Sequence, residues 1–263
     1  MSIDHSNLHM PAAIGVNQAC VSVVMPVYNA ASTLRAAIET VRTQTFQDWE
    51  LLLVDDCSTD QSPEIIEQYA RDDERVRALR MSSNAGPAAT RNLGIESARG
   101  RYIAFLDSDD LWLDSKLEKQ IKTIEQYKAA ICFSSYYKFT DQPNQLRKLV
   151  TAKPLVDYRL LLKSNFIGLS TALYDTSLVG KVLMPTIGHE DYALWLTILR
   201  DGHSAVGLKE PLVKYRVHSG SVSSNKLKAA GFHWNVLRSV AGLSRARAAI
   251  NFIFYAYYAL RKY

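Results

Sequence analysis

Tyr102-Ile103-Ala104-Phe105-Leu106-Asp107-Ser108-Asp109-Asp110 joins a short apolar run directly to a run of acids. Five residues with no polar interruption suit a strand buried on both faces, and the acids then fall just beyond its carboxyl end. Two similar runs lie upstream. Val21-Ser22-Val23-Val24-Met25 stops at Pro26, and Leu51-Leu52-Leu53-Val54 runs into Asp55-Asp56. Val76 to Leu79 supplies a further short strand.

The intervals read as helices. Ala31 to Thr43 carries Leu34, Ala37, Ile38 and Val41 at helical spacing, with Ser32 as its expected N-cap. Ile65, Ile66 and Tyr69 follow a Ser62 cap and Pro63, and Pro87 opens a helix through Leu93 and Ile95. A further helix is expected from Leu113 to Tyr127. Strands alternating with helices predict an α/β fold whose mostly parallel sheet is flanked by helices, with ligands bound outside the strands' carboxyl ends. Downstream, Ile131 to Phe139 and Val213 to Val217 read as strands; Asp157 to Lys163, Glu190 to Arg200 and residues from about Lys226 onward read as helices. With no Gly/Ser/Pro-rich linker, this half should extend the same sheet.

The 263 residues, 48% hydrophobic and 22% charged, describe a globular chain with no internal repeat or heptad run. Residues 1–19 lack a basic region followed by an apolar run, so they read as a poorly ordered lead-in and not a signal peptide. Cys20, Cys57 and Cys132 are an odd set without metal-type spacing, which points to a reduced, cytoplasmic protein. After Glu210 no acidic residue occurs, while Lys214, Arg216, Lys226, Lys228, Arg238, Arg245, Arg247, Arg261 and Lys262 are basic. Such a tail favours anionic partners: a membrane surface, nucleic acid or a phosphorylated substrate.

Acids gathered at strand ends repel one another and so suggest a cation. Asp107 and Asp109, spaced D-x-D, could both reach magnesium or manganese and leave coordination positions for a diphosphate. The alternative is a helix cap, since Asp suits caps and turns. Asp55, Asp56 and Asp60 at a neighbouring strand end favour the cation.

Four ordered motifs resemble family 2 glycosyltransferases of the GT-A fold. They are Met25-Pro26-Val27-Tyr28-Asn29, Val54-Asp55-Asp56-Cys57-Ser58-Thr59-Asp60, Asn84 through Gly94, and Phe105 through Asp110. The match runs from about Val21 to Val222. The resemblance implies a metal-dependent, inverting transfer from a nucleotide-diphosphate sugar, UDP favoured, to a glycan or lipid-linked glycan. It places Pro26 and Tyr28 at the nucleotide base, with Asp56 hydrogen-bonded to the ring. Arg91 falls near the nucleotide and its diphosphate. Asp107 and Asp109 share ribose and metal-diphosphate contacts, and His218 of Tyr215-Arg216-Val217-His218 approaches the metal or diphosphate. Glu190-Asp191 before Leu194-Trp195 resembles the family's base motif. Asp191 also falls on the inward face of that helix, where burial raises a carboxyl pKa while the helix N-terminus favours its charge.

The expected organisation is a catalytic domain over residues 20–224, with a nucleotide-binding half to about 128 and an acceptor half from 129. A basic, amphipathic helical tail follows over 225–263. Ala248 to Leu260 is apolar and aromatic but shorter than the roughly 20 residues of a bilayer span. It suits a helix lying at the inner face of the cell membrane, or one docked on the catalytic domain or on a homodimer partner. A dinucleotide oxidoreductase lacks its G-x-G-x-x-G here, and a P-loop enzyme its G-x-x-x-x-G-K-[ST]. A sugar nucleotidyltransferase remains the nearest enzymatic rival. Nucleic-acid binding would explain the tail but not the acids, so no nucleic-acid partner is expected.

Overall fold

A computed structural model describes residues 20–140, 142, 145–217 and 226–261. The lead-in 1–19 and His218 lie outside the described residues. The chain runs β1 (Val21–Val27), α1 (Ala31–Arg42), β2 (Trp49–Asp55), α2 (Ser62–Asp72), β3 (Val76–Arg80), α3 (Gly86–Ser97) and β4 (Tyr102–Phe105). It continues through β5 (Leu111–Trp112), α4 (Lys116–Tyr127), β6 (Ile131–Phe139), β7 (Leu146–Val150), β8 (Leu155–Val156) and α5 (Tyr158–Leu161). Then come β9 (Ala172–Asp175), α6 (Thr176–Val179), α7 (Glu190–Leu199), β10 (Ala205–Arg216), α8 (Lys226–Asn235) and α9 (Arg245–Arg261).

One sheet holds the order β3-β2-β1-β4-β9-β6-β10-β5. β1 pairs parallel with both β2 and β4, and β2 pairs parallel with β3. β9 runs antiparallel between β4 and β6, and β10 returns parallel to β6. The chain therefore builds outward from β1 to β3, then crosses back to β4. That reversal opens a crevice beyond the ends of β1 and β4.

Strand residues alternate between two cores. Val21, Val23, Met25, Leu51 and Leu53 join Leu34, Ile38, Ile65 and Leu117 from α1, α2 and α4. Val24, Leu52, Ile103 and Phe105 face the other way, onto Ala88, Ile95, Leu194 and Trp195 of α3 and α7. Burial on both faces is why these strands are mostly apolar instead of alternating, the buried Ser22 and Glu50 being paired with each other. Pro26 breaks no pairing with β4, whose ladder with β1 ends at Val24–Phe105.

Some expectations need correction. α1 is capped not by Ser32 but from the β2–α2 loop and the first residue of α2: Ala31 N–H donates to Asp60 Oδ2 and Ala30 N–H to Ser62 Oγ. The helix expected from Leu113 starts at Lys116, because Leu111–Trp112 pairs with β10. The strand expected at Val213 extends back to Ala205, through register shifts around Pro211. The 157–163 helix shrinks to one turn, whose cap is the Asp157 carboxylate accepting from Leu160 N–H.

Candidate active site

The crevice is a cavity of about 320 Å3, and Pro26, Tyr28, Asp56, Arg91, Asp107 and Asp109 all line it. The six come from the ends of β1, β2 and β4 and from α3. Sheet topology thus gathers residues spread over eighty positions of sequence.

Two loop residues next to crevice-lining Tyr28 and Asp56 take left-handed backbone. Asn29 (φ 48°) takes a conformation its short polar side chain tolerates. Its N–H donates to Ser58 Oγ, and its Oδ1 accepts from Thr59 N–H. Cys57 (φ 60°) is secured through its thiol to the Met81 carbonyl. Tyr28, between these fixed loops, is 53% exposed, so its ring is open to a flat partner.

Asp56 is buried. Its Oδ1 accepts from Ala85 N–H at 2.8 Å and its Oδ2 from Gly86 N–H at 2.9 Å. Those amides begin α3, where unpaired N–H groups favour a carboxylate. Gly86 (φ 82°) supplies the backbone geometry that aims them.

The acid cluster needs a correction. Asp55 Oδ1 accepts from Ser58 N–H, and Asp60 accepts from Ala31 and Ser62 N–H. These hydrogen bonds hold the Asp60 carboxyl below its ordinary range even though burial pushes it up. Asp55 and Asp60 therefore serve loop and cap geometry and do not converge with Asp107 on a cation. Among the described residues no group of three or more His, Cys, Asp or Glu could hold a metal. What remains is the D-x-D pair on one turn, two hard oxygen donors. That set fits magnesium or manganese completing its shell with phosphate oxygens and water.

Asp107 already has a cation beside it. Arg91 Nη2 lies 2.6 Å from Asp107 Oδ1, and Arg91 Nε is buried with no hydrogen-bond partner among the described residues. Asp107 N–H donates to Ser170 Oγ.

Asp110 has a different task from its neighbours. It is 1% exposed and its Oδ1 accepts from Arg216 N–H at 2.8 Å. Burial raises its pKa well above the carboxylate range, and the charges of Asp107 and Asp109 raise it further. Arg216 Nε donates in turn to the Asp109 carbonyl. The acidic turn is thereby stapled to the end of β10, the approach to His218.

Asp191 sits in the first turn of α7, after His189 in left-handed backbone (φ 55°). Its Oδ2 accepts from Asn165 Nδ2 at 2.8 Å. Burial raises its pKa, opposed by His189, the Tyr192 N–H, Arg91 and Asn165. A carboxyl whose pKa is raised in this way is a stronger proton acceptor than an exposed one. Asn165, Ser170 and Arg216 are the residues that sequence reasoning missed. Asn165 and Ser170 belong to Ser164–Thr171, a stretch with no recognisable motif.

A model of the family described as Glycosyl transferase family 2 matches residues 22–183. WfaP of Escherichia coli, named as a UDP-Glc:alpha-D-GlcNAc-diphosphoundecaprenol beta-1,3-glucosyltransferase, is 36% identical over 243 residues, covering 92% of this chain and 95% of its own. TarS 1-349 of S. aureus, solved with UDP-GlcNAc, aligns at TM-score 0.69 with 19% identity over 90% of this chain and 71% of that one. The mannosyltransferase PcManGT from Pyrobaculum calidifontis, solved with GDP-Man and Mn2+, aligns at 0.68 with 16% identity over 90% and 69%. The two structures speak to the fold, and the family match together with WfaP speaks to descent: the chain belongs to glycosyl transferase family 2 and is a glycosyltransferase with the GT-A fold.

Proposed function

We propose that the enzyme transfers a sugar from a UDP-sugar to a hydroxyl of a lipid-linked glycan, inverting the anomeric centre. The observation that carries this reading is the single crevice lined by Tyr28, Asp56, Arg91, Asp107 and Asp109. WfaP, by its name, uses a UDP-sugar and a diphosphoundecaprenol-linked acceptor, which supports the substrate classes.

Tyr28 stacks on the base, and Pro26 borders it. Asp56, fixed by the α3 amides, accepts from the ring with its remaining lone pairs. Asp107 and Asp109 would hold a magnesium or manganese ion, whose charge would be supplied against that growing on the departing diphosphate. Arg91 supplies a second, permanent positive charge toward the same oxygens. His218, two residues after Arg216 in the sequence, is assigned to the diphosphate side by the family resemblance alone. Asp191 takes the proton of the acceptor hydroxyl. That oxygen then bonds to the anomeric carbon from the face opposite the nucleotide, and the carbon–oxygen bond to the diphosphate breaks with its electron pair.

A nucleotide-sugar screen with a short polyprenyl-diphosphate sugar as acceptor tests the reading. UDP release, a new glycosidic product of opposite anomeric configuration and loss of turnover in chelator are expected. Pyrophosphate release would instead make the enzyme a nucleotidyltransferase, and retained configuration would remove Asp191 as a simple base.

A further inference from the structure

α9 has two unlike faces. Ala248 is fully buried, and Phe252, Tyr255 and Tyr258 lie half-buried on the same side. On the other side Ile250, Ile253, Phe254 and Tyr257 are 57%, 68%, 41% and 46% exposed. Their i, i+3, i+4, i+7 spacing makes one continuous apolar stripe. With 17 residues the helix is short for a span, and among the described residues no helix is long and apolar enough to cross a membrane.

The stripe is bordered by positive charge. Arg245 and Arg247 are exposed in its first turn, and Arg159 of α5 is exposed beside it. The Lys163 ammonium lies 4.8 Å from the Phe254 ring centre. Between α5 and α9 a groove of about 340 Å3 has Leu162, Leu243 and Ile250 along its walls and Arg159 and Arg247 among its lining. Asp157, the acid at the start of α5, is turned onto the Leu160 amide. An apolar stripe ringed by arginines complements a surface of anionic headgroups over acyl chain, more closely than a second basic copy of the same face.

The inward face says what such seating would achieve. Tyr255 stacks on His233 at 4.0 Å between ring centres, and His233 stacks on Tyr192 at 4.8 Å. Tyr258 packs edge-on against Phe166 at 5.1 Å. Tyr192 adjoins Asp191, and Phe166 adjoins Asn165, which holds Asp191. Both anchors of α9 therefore end one residue from the proposed base or its hydrogen-bond donor.

We propose that α9 lies flat on an anionic phospholipid surface through Ile250, Ile253 and Phe254, with Arg245 and Arg247 on the headgroups, and so fixes the acceptor base relative to the bilayer. The use of that placement rests on the lipid-linked-acceptor reading, but vesicle binding without donor or acceptor is read independently of it. Flotation of the full chain with mixed phosphatidylglycerol–phosphatidylcholine vesicles and with pure phosphatidylcholine vesicles is the test. The chain should float with the anionic vesicles and be released by salt. Arg245→Gln/Arg247→Gln should weaken binding by roughly tenfold or more. Ile253→Asp should abolish it with an unchanged thermal midpoint and unchanged turnover of a water-soluble acceptor. Equal flotation with both vesicle types, flotation with neither, or binding that survives both variants would overturn the proposal. So would a dimer in sedimentation equilibrium that Ile253→Asp dissolves, since the face would then belong to a second copy.

Discussion

Arg91 Nη2 and Asp107 Oδ1 stand 2.6 Å apart at the wall of the donor crevice, so a carboxylate proposed to face a metal is already neutralised by a fixed cation. The pair is shielded, with the Arg91 side chain 11% exposed, so the interaction is stronger than a surface ion pair. On the proposed reading a divalent ion would compete with Arg91 for Asp107 until a diphosphate satisfied both. Arg91→Gln should tighten Mn2+ binding in the absence of donor, yet raise the donor KM by about 10–100-fold, the worth of a charge-assisted hydrogen bond to phosphate. Titration calorimetry with Mn2+ alone, beside steady-state kinetics, checks both signs. Weakened metal binding in the variant would remove the competition.

Asp191→Asn keeps the shape of the first turn of α7 and removes the proton acceptor. Donor affinity should be unchanged while transfer falls by about 10²–10⁴-fold. The proposed base would act when deprotonated, and burial raises its pKa above the ordinary carboxylate value of 3.8. Activity is therefore present above that raised pKa and lost as pH falls through it, at a higher pH than an exposed carboxylate would give. A pH–rate profile of transfer, with donor binding measured at each pH, separates this limb from donor loss.

Asn165 touches the proposed base through its Nδ2, which donates to Asp191 Oδ2, while its Oδ1 accepts from Ile167 N–H. Its Nδ2 hydrogen bond favours the ionised carboxylate, so losing it raises the Asp191 pKa further. Asn165→Ala should move the acid limb to higher pH and leave much of the rate at alkaline pH intact. A uniform loss of rate at every pH would mean that Asn165 only supports the fold.

The parallel core was legible because β1, β2 and β4 are buried on both faces and read as short, mostly apolar runs ending at polar residues. β9 was not: it is four residues, Ala172–Asp175, and one of its ends is an acid tied to Arg101. What the sequence placed just past strand ends, Tyr28, Asp56 and Asp107, does gather in one crevice. The site was misread where Asp serves the backbone, because spacing cannot tell a carboxylate aimed at a cation from Asp60 aimed at the Ala31 amide. Asn165 meets Asp191 across 26 residues of chain, and only the packing of α7 on its neighbours brings them together.

Gly94, in the third motif, has a packing reason. A Cβ there would lie 2.4 Å from Val24 Cγ1, the side chain on which α3 rests. In an exposed helix Gly→Ala gains about 1 kcal/mol. Here the intruded atom belongs to a stiff, fully buried β-branched residue, so overpacking of about 1–3 kcal/mol decides the sign. Gly94→Ala should lower stability in urea denaturation, and should cost less in a Val24→Ala background than in the wild type. Additive losses in that double-mutant cycle would refute the contact as the cause.

Lys116 tests the electrostatics of the core away from the chemistry. It is fully buried, its Nζ donating to Gln120 Oε1 at 2.7 Å and lying 3.8 Å from the Trp112 ring centre. Both contacts favour the ammonium, but burial outweighs them and its pKa is lowered to about 7. Between pH 7 and the ordinary lysine value of 10.5 the unfolded chain holds a proton that the folded chain has lost. Stability therefore rises with pH across that window, by up to about 1.4 kcal/mol per pH unit. In a protein of this size that is about 2–4 °C in Tm per kcal/mol. Lys116→Met removes the titration, so its Tm relative to wild type should be highest near pH 7 and decline toward pH 10. Parallel Tm-versus-pH curves for the two proteins would show that the buried ammonium keeps its charge.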